Sequence, residues 1–282
     1  MARTALMKIW DVELGLAIHV QAPNGKYIVI DLGSTQNISP LLSLRGHDIG
    51  YMVITHPHLD HFSDIDNIVY AKPNVLWRSH AYTRNDLLTG IRESDRLKIT
   101  RYCDFVESYT GTLSEDNNPR NGNTFNGLTA EVFSVSTCDK SNKNNFSAIV
   151  VLRLGNAKIV VCGDNEKESL EKLMRNSLFK EAVEKSWVLV APHHGRESGY
   201  YEDFVSLVSP DLTIISDTSN VGTSVSSKYS AKSKGYNVYN ALTHQNEKRS
   251  CLTTRSDGNI EIGFGESDDP RYCGYLRVEI HK

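Results

Sequence analysis

Three histidines and an aspartate crowd into six residues directly after a short apolar run, in the segment YMVITHPHLDH at residues 51–61. The apolar part predicts a buried strand, because β-branched and aromatic residues between polar boundaries favour a sheet. So many titratable groups at the end of a buried strand indicate a metal site, since imidazole and carboxylate groups are common ligands of zinc, manganese and iron. The segment alone names neither the metal nor the reaction.

The spacing of these residues indicates how they would divide between metal ions. His56 and His58 are two positions apart, and on a strand this spacing places both rings on the same side. Asp60 and His61 follow in a turn from which they can bend back toward the same cavity. We expect the first pair to bind one cation and the second pair a neighbouring one. The alternatives are a surface histidine cluster without metal and a purely structural zinc site, which cysteines would more commonly close.

The residues after His61 predict the start of a helix. Ser63 and Asp66 have the S-x-x-D spacing of a capping box, in which each side chain satisfies a free backbone amide. The helix would begin directly after the candidate ligands, and its N-terminus would favour an anion beside them.

The rest of the chain predicts two groups of strands, each followed by helices. Asn24-Gly25 has the composition of a hairpin turn, and residues 108–128 form a long polar loop. This order favours a sandwich of two sheets with helices on both outer faces, of the α/β or α+β class, within a single domain 1–282. The predicted strands are 6–12, 16–22, 26–33, 51–55, 128–135, 146–155, 157–164, 187–191 and 212–216. Residues 81–107 are predicted to be mostly helical, and helices are predicted at 166–186 and near 200–208.

Composition excludes several classes of protein. A formal charge of −3 over 282 residues gives no overall basic field for nonspecific nucleic-acid binding, although a local basic patch stays possible. No apolar stretch approaches the roughly 20 residues that cross a bilayer, so no membrane segment is expected. The five cysteines are scattered and never spaced C-x-x-C, which is typical of reduced thiols. We expect a cytoplasmic protein.

Two later segments, together with HPHLDH at residues 56–61, reveal a family resemblance. IVVCGD at 159–164 and VLVAPHHGRESG at 188–199 resemble motifs of the metallo-β-lactamase fold. Within that fold the chain is most similar to the hydrolase domain of the DNA-uptake channel protein ComEC/Rec2 and its stand-alone relatives. The resemblance implies a four-layer αββα sandwich holding two divalent metal ions, zinc or manganese. It also implies that Asp164 bridges both ions, that His194 completes the second ion's shell, and that His193 faces the substrate or supports the ligands.

Further segments extend the resemblance over residues 8 to 263. YIVIDLGS at 27–34 resembles the early strand with a structural aspartate, here Asp31, and NNFSAIVVLRLG at 144–155 resembles a strand of the ComEC group. TTRSDGNIEI at 253–262 resembles the group's closing hairpin.

The chain also departs from the family pattern. Many members place a third histidine before the Gly-Asp strand, and the corresponding residues 139–147 contain none. The resemblance offers Asn144 or Asn145 instead, of which Asn145 is the candidate ligand, and an amide oxygen implies weaker binding or a harder ion such as manganese. Arg196 replaces the usual serine after His-His-Gly, and VGTSVSSKYS at 221–230 replaces another family segment. These changes affect the expected substrate more than the fold.

The implied reaction is hydrolysis. Paired metal ions lower the pKa of a bound water from 15.7 toward about 7, which supplies a hydroxide nucleophile at neutral pH. Asp60, Asp164 and His193 are the candidate catalytic residues. A phosphodiester is the preferred substrate, because paired cations and a helix N-terminus both favour phosphoryl groups, and a nucleic acid is the expected form of it.

Three basic residues are candidates for substrate binding. Arg196 would contact a phosphate, or would be a solvated loop residue. Lys228 and Lys232 lie in SSKYSAKSKGYNVY at 226–239, where lysines and tyrosines alternate as in surfaces that bind single-stranded nucleic acid. A polar loop with tyrosines in the core is the alternative.

Two further functions remain open. The same metals could serve an esterase, a lactonase, a phosphocholine-esterase or a β-lactamase-like hydrolase. Alternatively, without the third histidine the chain could be a weakly active or silent subunit that recruits partner proteins in a larger assembly.

Overall fold

The computed structural model describes residues 2–218 and 224–282, and two β-sheets form its centre. The first sheet has nine strands in the order β12-β11-β15-β14-β1-β2-β3-β4-β5. Neighbours from β14 to β3 are antiparallel, whereas β3, β4 and β5 are parallel. Its strands are β1 (Thr4–Ile9), β2 (Ala17–Gln21), β3 (Tyr27–Leu32), β4 (Ile49–Ile54), β5 (Val75–Arg78), β11 (Tyr236–Asn240), β12 (Gln245–Arg249), β14 (Ile260–Gly265) and β15 (Tyr275–Ile280).

The second sheet has six strands in the order β13-β10-β9-β8-β7-β6. The pairs β6–β7 and β7–β8 are antiparallel, and β8, β9, β10 and β13 run parallel. Its strands are β6 (Thr129–Phe133), β7 (Ile149–Leu154), β8 (Ala157–Val161), β9 (Val188–Val190), β10 (Leu212–Ile215) and β13 (Cys251–Thr253).

The two sheets pack face to face over the main hydrophobic core. Val150 and Leu152 of β7 point into this core, together with Ile18 and Val20 of β2. The alternate residues of β7 face the opposite way, into a second cluster under the helices. Because β7 is buried on both faces over most of its length, its sequence begins with four consecutive apolar residues rather than alternating, and Arg153 is its exposed position.

Helices cover the outer faces and complete the predicted four-layer αββα sandwich. α1 and α2 pack on the β3–β5 side of the nine-stranded sheet, and α3 to α6 pack on the six-stranded sheet. The outer face near β1 and β14 instead carries charged pairs such as Lys8–Glu261. The helices are α1 (Arg84–Leu88), α2 (Glu93–Glu107), α3 (Lys167–Leu173), α4 (Ser177–Val183), α5 (Glu202–Val208), α6 (Ser226–Lys232) and α7 (Thr254–Asp257).

Two predicted elements are wrong in detail. The helix expected over 166–186 is divided into α3 and α4, because the Asn176 side chain accepts from the amides of Leu178 and Phe179 and starts a new helix. The hairpin expected over 253–262 does not form. This segment leaves β13 in one sheet, turns through α7 and enters β14 in the other sheet.

The capping box predicted after His61 is also wrong. Residues Leu59–His61 and Ile65–Tyr70 form two short 3-10 helices, and no side chain caps the second one. The Ser63 hydroxyl instead accepts from the Ser34 amide at 2.8 Å. A helix N-terminus for anion binding is therefore missing from this part of the described chain.

The remaining predictions about elements and cysteines can be compared directly. Asn24-Gly25 forms the turn between β2 and β3, with Gly25 at a φ of 84°. Most of residues 108–128 form a loop that contains one short 3-10 helix, Glu115–Asn117. All five cysteines are free. Within the described ranges, no helix combines the length and apolar character that crossing a membrane requires.

Candidate metal centre

The candidate ligands meet where strands of both sheets end. Residues 56–61 follow β4 of the nine-stranded sheet, whereas Asp164 follows β8 and His194 follows β9 of the six-stranded sheet. The carboxyl ends of neighbouring parallel strands lie at one edge of a sheet, and loops from two such edges can enclose a common cavity. Side chains more than a hundred residues apart in the chain thereby become neighbours.

His56 and His58 are not on the strand, which ends at Ile54, but their rings still face one another. His58 has extended backbone angles and precedes the 3-10 helix Leu59–His61. His56 Nε2 lies 2.9 Å from His58 Nδ1. The predicted pairing of these two rings is therefore present in the loop, although the strand geometry assumed for it is not.

A tight turn presents the Asp164 carboxylate. Gly163 has a φ of 53°, and a Cβ atom at this position would lie 2.9 Å from the Thr55 Cβ. Only glycine therefore lets the end of β8 approach the residue that precedes His56. The Ser147 hydroxyl accepts from the Asp164 amide at 3.1 Å and fixes the turn from the other side.

The His193–His194 turn is strained and locked in place. Both residues have left-handed backbone angles, with φ values of 48° and 53°, which cost about 1–2 kcal/mol each for residues other than glycine. The His193 amide donates to the Gly163 carbonyl at 3.0 Å, so this turn and the Gly163–Asp164 turn hold each other. Such strain is common at functional sites, where the surrounding structure maintains it.

Two groups of potential metal ligands share Asp164. One contains Asp60, His61, Asp164 and His194, and the other contains His56, His58 and Asp164. Within each group the ligand atoms all lie within 4.8 Å of one another. This is the division of ligands that the spacing of HPHLDH predicts.

The two carboxylate oxygens of Asp164 face different groups. Oδ1 lies 3.2 Å from His61 Nε2 and 3.5 Å from His194 Nε2. Oδ2 lies 3.7 Å from His56 Nε2. Asp60 Oδ2 completes the first group at 3.6 Å from His194 Nε2. One carboxylate is thus placed between two sets of imidazole nitrogens, as a bridging ligand would be.

Hydrogen bonds behind the ring nitrogens orient two of the histidines. His61 Nδ1 lies 2.7 Å from Asp31 Oδ2, and His194 Nδ1 lies 2.9 Å from the Ser216 carbonyl oxygen. Both acceptors require a proton on Nδ1, which leaves Nε2 as the metal-facing atom. Asp31, predicted to be structural, also accepts from the Thr55 amide and hydroxyl at 2.7 Å each.

The ring nitrogens that face the centre fit a metal ion. His61 Nε2 and His194 Nε2 are buried and have no hydrogen-bond partner in the described part of the chain. A buried polar atom without a partner is costly, and a cation would remove this cost. The nitrogen and carboxylate donors suit zinc, manganese or iron. The residues therefore fit the metal centre that the motif predicts.

The charges of the centre also favour cations. Burial opposes ionisation of Asp164, but His194 and His61 outweigh it and hold its pKa well below the usual value. Burial likewise opposes protonation of His194, yet the Asp164 and Asp60 carboxylates raise its pKa to about 9. The buried carboxylates thus favour positive charge at the ring nitrogens that face them. A metal ion would supply that charge in place of a proton.

His193 belongs to the cavity wall rather than to either ligand group. Its Nδ1 lies 2.7 Å from Ser198 Oγ and 3.1 Å from Glu166 Oε1. Its Nε2 lies 3.3 Å from Asn144 Nδ2 and 3.4 Å from an Arg196 nitrogen. Burial, the largest influence, lowers the pKa of His193 and favours the neutral ring.

The structure favours Asn144 over Asn145 as an oxygen donor. Asn145 Oδ1 accepts from the Ser169 amide at 3.3 Å, so Asn145 faces helix α3 and its role as a ligand stays a prediction. Asn144 Oδ1 is buried without a partner in the described residues, and Asn144 lines the same cavity as His58 and Asp164. Asn144 was the other alternative that the resemblance offered.

An open cavity of about 520 Å³ gives access to the centre. His58, Asp60, Asp164 and His194 line its floor, and Arg196 lies in its wall. The remaining wall residues are Leu14, Ser34, Leu59, Ser63, Asn144 and His193.

The lysines and tyrosines predicted to bind single strands lie elsewhere. Lys228 pairs with Glu197 at 2.6 Å and Lys232 with Glu202 at 2.7 Å, and neither lysine lines the cavity, so their contact with a substrate stays a prediction. Tyr229 is fully buried in the core under the helices. Residues 226–232 form α6. The segment VGTSVSSKYS at 221–230 departs from the family pattern, and its residues 221–223 lie outside the described residues.

Two supporting residues are absent from the motifs. Glu166 contacts His193 and Asn144, and the Ser216 carbonyl fixes His194. One feature of the sequence could have drawn attention to Glu166, namely its position two residues after Asp164, the candidate bridging ligand. Ser216 acts through its backbone, and its side chain carries no such signal.

The chain is similar to parts of longer known proteins. The chain is 25% identical over 214 residues to Recombination protein 2 of Haemophilus influenzae. The aligned region covers 73% of this chain and 23% of that protein. It is 23% identical over 232 residues to ComE operon protein 3 of Bacillus subtilis, covering 74% of this chain and 28% of that protein. The chain therefore spans about a quarter of the length of these relatives.

Solved structures and a family model were also matched. YhfI of Bacillus subtilis is 10% identical, covering 92% of this chain and 99% of YhfI, with a TM-score of 0.48. A diphosphatase from the PhnP family is 12% identical, covering 93% of this chain and 99% of that one, with a TM-score of 0.44. The family model of the metallo-beta-lactamase superfamily matches residues 11–216, well over half of the chain. The chain therefore belongs to the metallo-β-lactamase superfamily.

Proposed function

We propose that the protein is a metal-dependent phosphodiesterase, with a nucleic acid as its natural substrate. The observation that carries this proposal is the position of Asp164, whose two oxygens face separate imidazole groups on the floor of an open cavity. Divalent ions bound there, two of zinc or manganese, would activate water for attack and neutralise negative charge on the substrate. No serine or cysteine nucleophile is required.

The cavity wall supports an anionic substrate. Arg196 is partly exposed, lies in the wall, and has no carboxylate within ion-pair distance in the described residues. Its guanidinium can donate to phosphate oxygens, a planar geometry for which arginine is well suited. His193 Nε2 lies 3.4 Å from an Arg196 nitrogen and can accept a hydrogen bond from it, which restrains the guanidinium in the wall. Ser34 and Ser63 add hydroxyl groups to the wall.

The natural substrate is assigned from a weaker observation. One relative carries the name Recombination protein 2, which supports a nucleic acid as the phosphodiester. The tyrosine and lysine surface predicted for single strands does not support it, because those lysines are paired with carboxylates. The phosphodiester bond is therefore the firmer part of the proposal.

A second candidate function is hydrolysis of an ester or lactone. Leu14 and Leu59 line the same cavity, and Leu14 is 37% exposed. An apolar wall beside a metal centre suits the carbon chain of such a substrate better than it suits a nucleotide backbone.

A substrate panel with defined metals tests the proposal. Chelator-treated protein is reloaded with zinc or manganese and offered bis-p-nitrophenyl phosphate, labelled single-stranded DNA, RNA and a lactone. We expect metal-dependent cleavage of the diesters. For Arg196→Ala we expect a KM for diesters at least about tenfold higher, which is the loss of one charge-assisted contact of about 1.5–3 kcal/mol. Arg271→Ala, which removes an exposed arginine paired with Asp269, is the control.

The possible outcomes separate the candidates. Turnover of the lactone without cleavage of any diester would replace the first function by the second. Binding of less than one equivalent of metal, unchanged by His58→Ala, together with no turnover, would favour the silent partner-binding subunit.

A further inference from the structure

Glu166 connects three side chains at the edge of the cavity. Its Oε2 accepts from Asn142 Nδ2 at 2.8 Å, and its Oε1 accepts from Asn144 Nδ2 at 3.0 Å. The same Oε1 lies 3.1 Å from His193 Nδ1. Glu166 is the N-cap residue of α3, so a helix end holds the carboxylate in place.

The carboxylate fixes the orientation of the Asn144 amide. Glu166 can only accept hydrogen bonds, so the atom of Asn144 that faces it must be the NH2 group. The amide oxygen must then point the other way, and there it is buried without a hydrogen-bond partner in the described residues. Rotation of the amide by 180° would place oxygen against oxygen.

The same arrangement fixes the tautomer of His193. Nε2 lies near Asn144 Nδ2 and an Arg196 nitrogen, and both of these groups are donors. Nε2 must therefore be the accepting nitrogen, which places the ring proton on Nδ1. That proton faces Ser198 Oγ at 2.7 Å and the Glu166 carboxylate.

We propose that Glu166 is a positioning residue, which turns the Asn144 oxygen toward the cavity and holds His193 as the Nδ1–H tautomer with Nε2 as the accepting nitrogen. Glu166 itself lies behind these two side chains. Its effect on catalysis rests on the proposed function, whereas its effect on the two side chains does not. Partners that orient ligands and neighbours in this way commonly contribute 10–100-fold to metal affinity or activity.

The tautomer of His193 is a direct test. Long-range 1H–15N spectra of the metal-free protein at pH 7.5 distinguish a protonated Nδ1 from a protonated Nε2, and His193→Gln assigns the signals. We expect the Nδ1–H form in the wild type and a shift toward Nε2–H in Glu166→Leu, because the freed Asn144 amide can rotate and accept from Nε2. Glu166→Gln keeps one accepting oxygen and is expected to fall between the two.

Metal affinity is the second measurement. Titration of the metal-free protein with manganese chloride alone is expected to show about tenfold weaker binding in Glu166→Leu than in the wild type. Glu171→Leu is the matched control, because Glu171 lies on the adjoining helix α3 and pairs with Lys167 at 3.8 Å. An Nδ1–H signal retained in Glu166→Leu, or a manganese affinity equal to that of Glu171→Leu, would overturn the proposal.

Diester turnover separates this proposal from the proposed function. If the wild type cleaves no diester but Glu166→Leu changes the tautomer and the manganese affinity, the phosphodiesterase proposal fails and the positioning role of Glu166 stands. If the wild type cleaves diesters, kcat is expected to be at least about tenfold lower in Glu166→Leu and intermediate in Glu166→Gln.

Discussion

Asp164 is the one residue that belongs to both ligand groups, so its removal should affect both. We predict that Asp164→Ala stays folded but loses about one equivalent of tightly bound metal and all measurable hydrolysis. The fold should persist because the amide of residue 164, not its carboxylate, bonds to Ser147. Metal content after dialysis, circular dichroism and turnover would be measured on the same sample. Wild-type metal content and turnover in the variant would disprove a bridging role.

Gly15 acts on the centre through the backbone of Asp60. A Cβ atom at Gly15 would lie 2.3 Å from the Asp60 carbonyl oxygen, and its φ is 120°. We predict that Gly15→Ala displaces Asp60, weakens zinc binding and destabilises the fold by more than the roughly 1 kcal/mol of an unfavourable φ alone. Zinc affinity and urea unfolding would be measured together.

Gly25→Ala separates the two causes in that experiment. Gly25 also has a positive φ, 84°, but a Cβ atom there would meet nothing within 4 Å. Gly25→Ala should therefore lose the stability that an unfavourable φ costs, while its zinc affinity stays unchanged. Equal zinc affinities in the two variants would mean that Gly15 does not hold Asp60.

The residues that meet in the candidate metal centre could be singled out from the sequence because they lie in short motifs with fixed local spacing. Their supporting residues could not, because their roles depend on contacts across the fold. Asn144 and Asn145 are equivalent in the sequence, and only their hydrogen bonds to Glu166 and Ser169 distinguish them. The lysines of α6 resemble a binding surface until their carboxylate partners on other elements are known.

At the scale of elements, Asp64 holds the segment that follows the ligands. Its buried carboxylate accepts from the Ser39 hydroxyl at 2.7 Å, the Leu41 amide at 2.9 Å and Asn67 Nδ2 at 2.8 Å. We predict that Asp64→Asn costs about 2 kcal/mol of unfolding free energy, since an amide group would face at least one of these donors. Urea unfolding would measure it.

Asp66→Asn is the matched control for Asp64. Asp66 pairs with Arg101 through partly exposed side chains, and such surface pairs contribute about 0–1 kcal/mol. A capping box formed by Ser63 and Asp66 would predict the reverse order of the two variants. A larger loss in Asp66→Asn than in Asp64→Asn would therefore restore the capping-box interpretation.

Elements with a strong local pattern could be predicted, and those decided by distant contacts could not. The strands β4, β7 and β8 are evident because burial on both faces favours consecutive apolar residues, although Arg153 interrupts the run in β7 and Lys158 interrupts it in β8. The helical pattern of 166–186 is similarly evident, but the break at Asn176 depends on one capping side chain. The crossing from β13 to β14 depends on which sheet each strand joins, and alternation of residues does not encode that choice.

At the scale of the whole molecule, the centre joins the two sheets. β4 of one sheet leads into four of the ligands, and β8 and β9 of the other sheet lead into Asp164 and His194. The distances between the groups therefore depend on how the sheets pack over their common core. Changes in that core far from the centre would alter metal binding through this packing.

The stability of the whole fold should depend on pH through His19, which lies on β2 away from the ligands. Trp10 Nε1 donates to its Nδ1 at 3.2 Å, and its Nε2 is buried. Burial, aided by the charge of Lys8, lowers the pKa of His19 to about 3. A histidine in the unfolded chain has a pKa near 6.5. Between this pKa and that of the folded protein, the unfolded chain binds a proton that the folded protein does not bind. The free energy of unfolding therefore falls as the pH decreases through this range.

We predict that protonation of His19 in the unfolded chain lowers the free energy of unfolding of the wild type by about 2 kcal/mol as the pH decreases from 7.5 to 5. His19→Gln keeps an acceptor for Trp10 but cannot titrate, so its loss over the same range should be smaller by that amount. Urea unfolding with chelator present would measure both proteins, since metal binding also depends on pH. His47→Gln, at an exposed histidine, controls for the substitution itself. Parallel stability curves for the wild type and His19→Gln would show that His19 is protonated in the folded protein, and that the sheet around it admits the charge.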